Sequence, residues 1–166
     1  MVANITTGKY SSALSRKYIE TVMGSVNSLK YRQHHVLTSD GITQTVFADS
    51  GVASAYHVSS ILNSLQLSLG EIRLNILDIL ADLEVSAWER TKTLSKGAVV
   101  VWEPYSYVSG KPRQHIGFYI GNDRAVSNIS DAHIPTEHDV YFRDEKRHLI
   151  VERSIVYIFT HPLIHL

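Results

Sequence analysis

The apolar pattern of this chain changes its period once, at Gly97. Before that glycine, apolar residues recur at three- and four-residue intervals; after it they come in short β-branched and aromatic runs. The two periods require different backbones. Leu14, Tyr18, Val22, Val26 and Leu29 share one face of a helix predicted from Ser11 to Leu29, with Ser11 or Ser12 as its cap. A second helix is predicted from Gly51 to Leu65. Val52, Ala55, Tyr56 and Leu62 lie on one side of it and Val58, Ile61 and Leu65 on another, so it is central and buried nearly all round. A third starts at Ser68, where Ser68-Leu69-Gly70-Glu71 matches a capping box ahead of a stripe of Ile72, Ile76, Ile79, Leu80 and Leu83. Residues 31–45 are polar, hold the Asp40-Gly41 turn pair and read as a loop.

Beyond Gly97 the runs AVVVW (98–102), HIGFYI (115–120), AVSNI (125–129), LIVER (149–153) and IVYIF (155–159) read as strands. Residues 121–124 make a tight turn, and RDEKR (143–147) is a solvated hairpin tip. Helices followed by antiparallel strands specify an α+β fold, with the N-terminal helices packed on one face of a five- to six-stranded antiparallel sheet. With 166 residues, 44% of them hydrophobic, and no repeat or linker, residues 1–166 are expected to form one domain.

Sixteen basic and sixteen acidic side chains cancel, leaving no electrostatic footprint for nucleic acid or an anionic membrane. No run approaches the length of a membrane span and the N-terminus lacks the pattern of a signal peptide, so the chain reads as soluble. It has no cysteine, which excludes disulfides and thiolate metal sites. Among nine histidines, His34-His35, His133 with His138, and His161 with His165 do not form a zinc pattern, so no metal is expected.

The stretch VFADSGVASAYHVSSIL (46–62) places Asp49, Ser50 and Gly51 where a strand passes into the central helix. The first turn of a helix offers unpaired N–H groups and a dipole that favour negative charge. A cysteine there becomes a thiolate whose attack on an amide can be stabilised by the same N–H groups; a serine gains much less. The plain alternative is an Asp49-Ser50 cap stabilising the helix by about 1 kcal/mol. His115 opens a later strand, as a base or as a solvated edge residue.

Three blocks, FADSGVASAY, LSKGAVVVWEP and HIGFYIGNDRAVSN, resemble the core blocks of the NlpC-type cysteine peptidases, papain-like enzymes that cut bacterial cell-wall peptides. The resemblance covers roughly residues 46–130. It implies a papain-like domain in which Ser50 stands at the position of the catalytic cysteine, Asp49 at that of the preceding aspartate, and His115 at that of the base. The family places an orienting His, Asn or Gln about a dozen positions after the base, which lands on Ser127 with Asn128 beside it. If Asn122 and Asp123 are the two turn residues, 115 pairs with 130 and Asn128 shares the face of His115, so Asn128 is expected to orient the imidazole. A bulge would reverse that parity and bring in Ser127, His133 or His138. Asp49, Gly51, Trp102 and Tyr105 are the expected substrate-binding residues, with strand-end packing the other reading of Trp102, Tyr105 and Tyr107.

The implied function is hydrolysis of a stem-peptide amide in peptidoglycan by a thiol nucleophile in the parent enzyme, inactivated here by a Cys-to-Ser replacement at position 50. No cofactor is implied. The alternative is a naturally inactive module that binds wall peptides or a partner protein. Action would be at the cell wall, in the periplasm or outside the cell, and a role as an antibacterial toxin would add a cognate immunity or inhibitor protein as partner.

Overall fold

The computed structural model describes residues 3–37, 41, 43–47, 50–105, 112–129, 134–143 and 152–166. Helix α1 runs over Ala3–Gly24 and ends before the expected Leu29. Asn27 adopts a left-handed backbone (φ 61°), a conformation open to asparagine that ends the helical path, and its N–H donates to the Pro135 carbonyl at 2.8 Å. Leu29–Tyr31 then forms a separate 3-10 turn capped by Ser28. Ser11 and Ser15 lie within α1 and hold the C-terminal segment: Ser11 Oγ donates to the Leu163 carbonyl at 2.9 Å, and Ser15 Oγ accepts from the His165 N–H at 2.9 Å.

The expected loop at 31–45 contains two strands, β1 (Gln33–Leu37) and β2 (Thr43–Phe47), which pair antiparallel around Gly41, a glycine with φ of 79°. Asp40 of the expected turn pair lies outside the described residues, and the flanking segments carry too few apolar residues to show a period of two.

Helix α2 covers Ser50–Ser64 and buries Ala53, Ala55, Val58, Ile61 and Leu62, as a central helix should. Helix α3 begins at Ile76, not at Ser68. Asn75 caps it by accepting from the Leu77 N–H at 2.8 Å, while residues 68–75 are held outside the helix by other bonds. Asn63 donates to the Gly70 carbonyl, Ser59 Oγ accepts from the Arg73 N–H, and Gly70 packs so closely on the Asp82 carboxylate that a Cβ would not fit. A glycine in the first turn gives weak helical propensity to set against those contacts.

The remaining strands are β3 (Glu89–Thr91), β4 (Val99–Tyr105), β5 (Arg113–Gly121), β6 (Arg124–Ile129), β7 (Ile134–Asp139) and β8 (Ile155–Thr160). They form one six-stranded sheet in the order β3-β8-β4-β5-β6-β7, antiparallel throughout. β3 and β7 were not expected. The first is three residues long, and the second carries Pro135, which an edge strand tolerates. Residues 149–151 lie outside the described residues, and 152–154 lead into β8 without forming a strand. Of the expected tip at 143–147 only Arg143 is described; it pairs with Asp139.

The two faces of the sheet carry separate cores. Val99, Val101, Ile116, Phe118, Val126 and Phe159 face the helices, packing with Tyr18, Val22, Val58, Ile61 and Leu83. Ala98, Val100, Trp102, Tyr119, Ala125 and Val140 form a second core on the opposite face, with Phe142 against it. Burial on both faces explains why VVVW in β4 is an unbroken apolar run rather than an alternation. Among the described residues no helix is long and apolar enough to cross a membrane.

Candidate functional site

Ser50 is the first residue of α2 and Gly51 the second. The far end of that helix is fixed to one end of the sheet. Leu67 accepts from the Trp88 indole at 2.8 Å, Trp88 packs on Tyr18, and the Tyr18 hydroxyl donates to the Gly97 carbonyl at 2.9 Å beside Tyr119. Asp49, and the side chain of Ser50, lie outside the described residues.

His115 pairs across the sheet with Trp102, and the two rings are 5.5 Å apart. Its side chain belongs to the second face, away from α2, and the residue is only 7% exposed. The partner of its imidazole is set by the hairpin. Asn122 and Asp123 form the turn with φ of 52° and 55°, values typical of a type I′ turn, but β5 carries an extra residue at Ile120. The pairing steps from Tyr119↔Ala125 to Gly121↔Arg124. This bulge reverses the expected parity. Ser127 shares the face of His115, and its Oγ lies 2.7 Å from His115 Nε2.

Asn128, expected to orient the base, points instead toward the helical face, where its Nδ2 donates to the Tyr31 carbonyl at 2.9 Å. A second imidazole lies behind Ser127: His138 Nε2 is 2.7 Å from the same hydroxyl, and His138 Nδ1 is 2.7 Å from the Asp139 carbonyl. All three side chains are buried. Gly117 makes the arrangement possible, since a Cβ there would lie 2.7 Å from Ser127 Cβ and 3.2 Å from the Trp102 ring.

Phe142 closes the cluster. Its ring stacks on His138 at 4.3 Å and lies 5.7 Å from His115. Its backbone sits at φ 61°, a left-handed conformation costly for a bulky residue and found where surrounding structure holds it in place. The Arg153 guanidinium packs against the Phe142 and Tyr105 rings, at 5.3 and 5.2 Å. Burial pushes the His115 imidazole well below its ordinary pKa, and the positive charge of Arg153 pushes it the same way.

Trp102 does not line a groove. It is fully buried and its indole donates to the Val140 carbonyl at 2.6 Å, so it packs beneath His115. Tyr105 is partly exposed at the end of β4. Tyr107 and His133 lie outside the described residues. Sequence reasoning did not single out His57, which is buried on α2 with Nε2 2.8 Å from Ser25 Oγ and whose pKa burial lowers to about 3. Nor did it single out Arg153. An apolar helical period absorbs the first, and a strand-like run hides the second.

A groove of about 680 Å³ lies along β3 and the C-terminal segment, between Thr91, Lys96, His161 and Leu166. Neither His115, Ser127 nor His138 borders it. Among the described residues no group of three or more His, Asp or Glu gathers as a metal set. Compared with family models, curated proteins and solved structures, the chain matches none.

Proposed function

We propose that this chain has the framework of a papain-like hydrolase that cuts an amide of peptidoglycan stem peptides, with serine at the nucleophile position. The observation that carries the reading is the 2.7 Å contact between His115 and Ser127, twelve residues apart across the β5–β6 hairpin. That is the separation at which the resembled family keeps the group that orients its base. The start of α2 at Ser50 supports it, since the resembled family opens its central helix with the nucleophile.

As the resemblance implies it for the parent enzyme, a thiol at position 50 gives its proton to His115 and attacks the amide carbonyl; that step requires the start of α2 to reach the imidazole around the end of the sheet, since His115 stands on the face away from α2. Unpaired N–H groups at the start of α2 receive the oxyanion. The imidazolium then protonates the leaving amine, and water drawn onto the acyl-enzyme by His115 releases the acid. Ser50 supplies only a far more basic hydroxyl and is inert in this scheme. The Ser50→Cys protein is expected to release soluble peptides from purified peptidoglycan, read by mass spectrometry. A correctly folded Ser50→Cys protein that releases none overturns the proposal.

A specific observation favours a second reading, that of a silent module binding wall peptides or a partner protein: His115 is nearly sealed on the face away from α2. Under that reading the unaltered chain co-sediments with peptidoglycan and the Ser50→Cys protein remains inactive.

A further inference from the structure

We propose that His138 is a positioning residue for His115, acting through Ser127 so that the proton of His115 rests on Nε2 and its Nδ1 is the basic atom. The inference rests on His115 as the base in the preceding reading.

Asp139 O can only accept, so His138 Nδ1, 2.7 Å away, carries a hydrogen. In a neutral imidazole its Nε2 is then bare and must accept from the Ser127 hydroxyl, 2.7 Å away. A hydroxyl has a single hydrogen. With that hydrogen given to His138, Ser127 Oγ can only accept across its second 2.7 Å contact, so His115 Nε2 carries a hydrogen and Nδ1 does not. His115 Nδ1 makes no hydrogen bond among the described residues. One backbone carbonyl therefore sets the tautomers of two imidazoles through one hydroxyl.

The opposite polarity requires a charged His138. The cluster disfavours it: His138, Ser127 and His115 are buried, Phe142 stacks on the His138 ring, and the Arg153 cation lies beside the same phenyl group. The geometry thus assigns separate tasks. Asp139 O fixes His138, His138 fixes the hydroxyl, and the hydroxyl fixes the base.

The test reads the tautomer directly, by long-range ¹H–¹⁵N correlation of histidine-labelled protein at neutral pH. In the unaltered chain His115 is expected to show a bare Nδ1 and a protonated Nε2. His138→Phe is expected to leave a mixture of tautomers. His138→Gln, whose amide oxygen can accept from Ser127, is expected to restore the single form. A protonated Nδ1 in the unaltered chain, or a tautomer unmoved by His138→Phe, overturns the inference. Should His138→Phe fail to fold, the unaltered spectrum and Ser127→Ala decide it in the same way. In the Ser50→Cys background, His138→Phe is expected to lower kcat about 10-fold or more with KM less affected. Should that background be inactive, the tautomer still answers the question separately from the hydrolase reading.

Discussion

Gly117→Ala probes the cluster where it is most tightly built. The added Cβ would meet Ser127 Cβ at 2.7 Å and the Val126 carbonyl oxygen at 2.7 Å. Optimal carbon–carbon contact begins at about 3.5 Å, so the overlap is about 0.8 Å. Both contacts belong to β6, and one is backbone, so rotation of a side chain cannot relieve them. β6 must withdraw from β5 locally, and a shift of that size would stretch the His115–Ser127 contact from 2.7 Å to the limit of hydrogen bonding. Overpacking of this kind costs about 1–3 kcal/mol, and weakening a buried hydrogen bond adds about 1 kcal/mol. For a chain of this size the sum corresponds to a Tm lowered by about 5–15 °C, measured by calorimetry. Gly24→Ala is the control, because a Cβ at the end of α1 meets nothing within 4 Å and alanine is the better helix former. A Gly117→Ala protein with an unchanged Tm and unmoved His115 ring signals would refute the packing argument.

Acid should destabilise the protein through His57. Its folded pKa is about 3 against an ordinary 6.5, so the unfolded chain takes up a proton that the folded chain refuses. Stability is full above pH 6.5 and falls as the pH drops toward 3, with His57 contributing about 1.4 kcal/mol per pH unit and His115 acting in the same direction. His57→Leu should make that slope shallower by this amount in urea titrations, and an unaltered slope would show that His57 is not buried neutral. Ser25 survives the change, because its hydroxyl donates to the Val22 carbonyl at 2.6 Å. Ser15→Ala removes the acceptor of the His165 N–H and should cost about 1 kcal/mol. Hydrogen exchange of the His165 amide should then accelerate, and an unchanged rate would mean that the C-terminal segment is held by other contacts.

The position of α2 was legible because its burial is nearly all round, and so were the cores of β4, β5, β6 and β8, whose β-branched runs are long enough to carry a period. β3 and β7 were not. A three-residue strand has no period, and the polar Ile134–Asp139 segment becomes a strand only because β6 offers it an edge. The Ser68 capping box failed for a similar reason: Gly70 within it is held by Asn63 and Asp82, and Arg73 just beyond it by Ser59, contacts that the capping pattern does not contain.

The sequence by itself determined the order of helices before strands, the hairpin joining β5 to β6, and a strand through His115, although that strand begins at Arg113 rather than at His115, since each depends on side chains a few positions apart. Which residue meets His115 was decided by tertiary structure. One extra residue at Ile120 turns Asn128 to the helical face and brings Ser127 to the imidazole. Side chains of a strand alternate with a period of two, so a shift of one position in register exchanges the two faces of everything that follows. The place of His138 behind Ser127, and of Phe142 over both imidazoles, depends in turn on a β6–β7 pairing and a strained backbone that no local pattern announces.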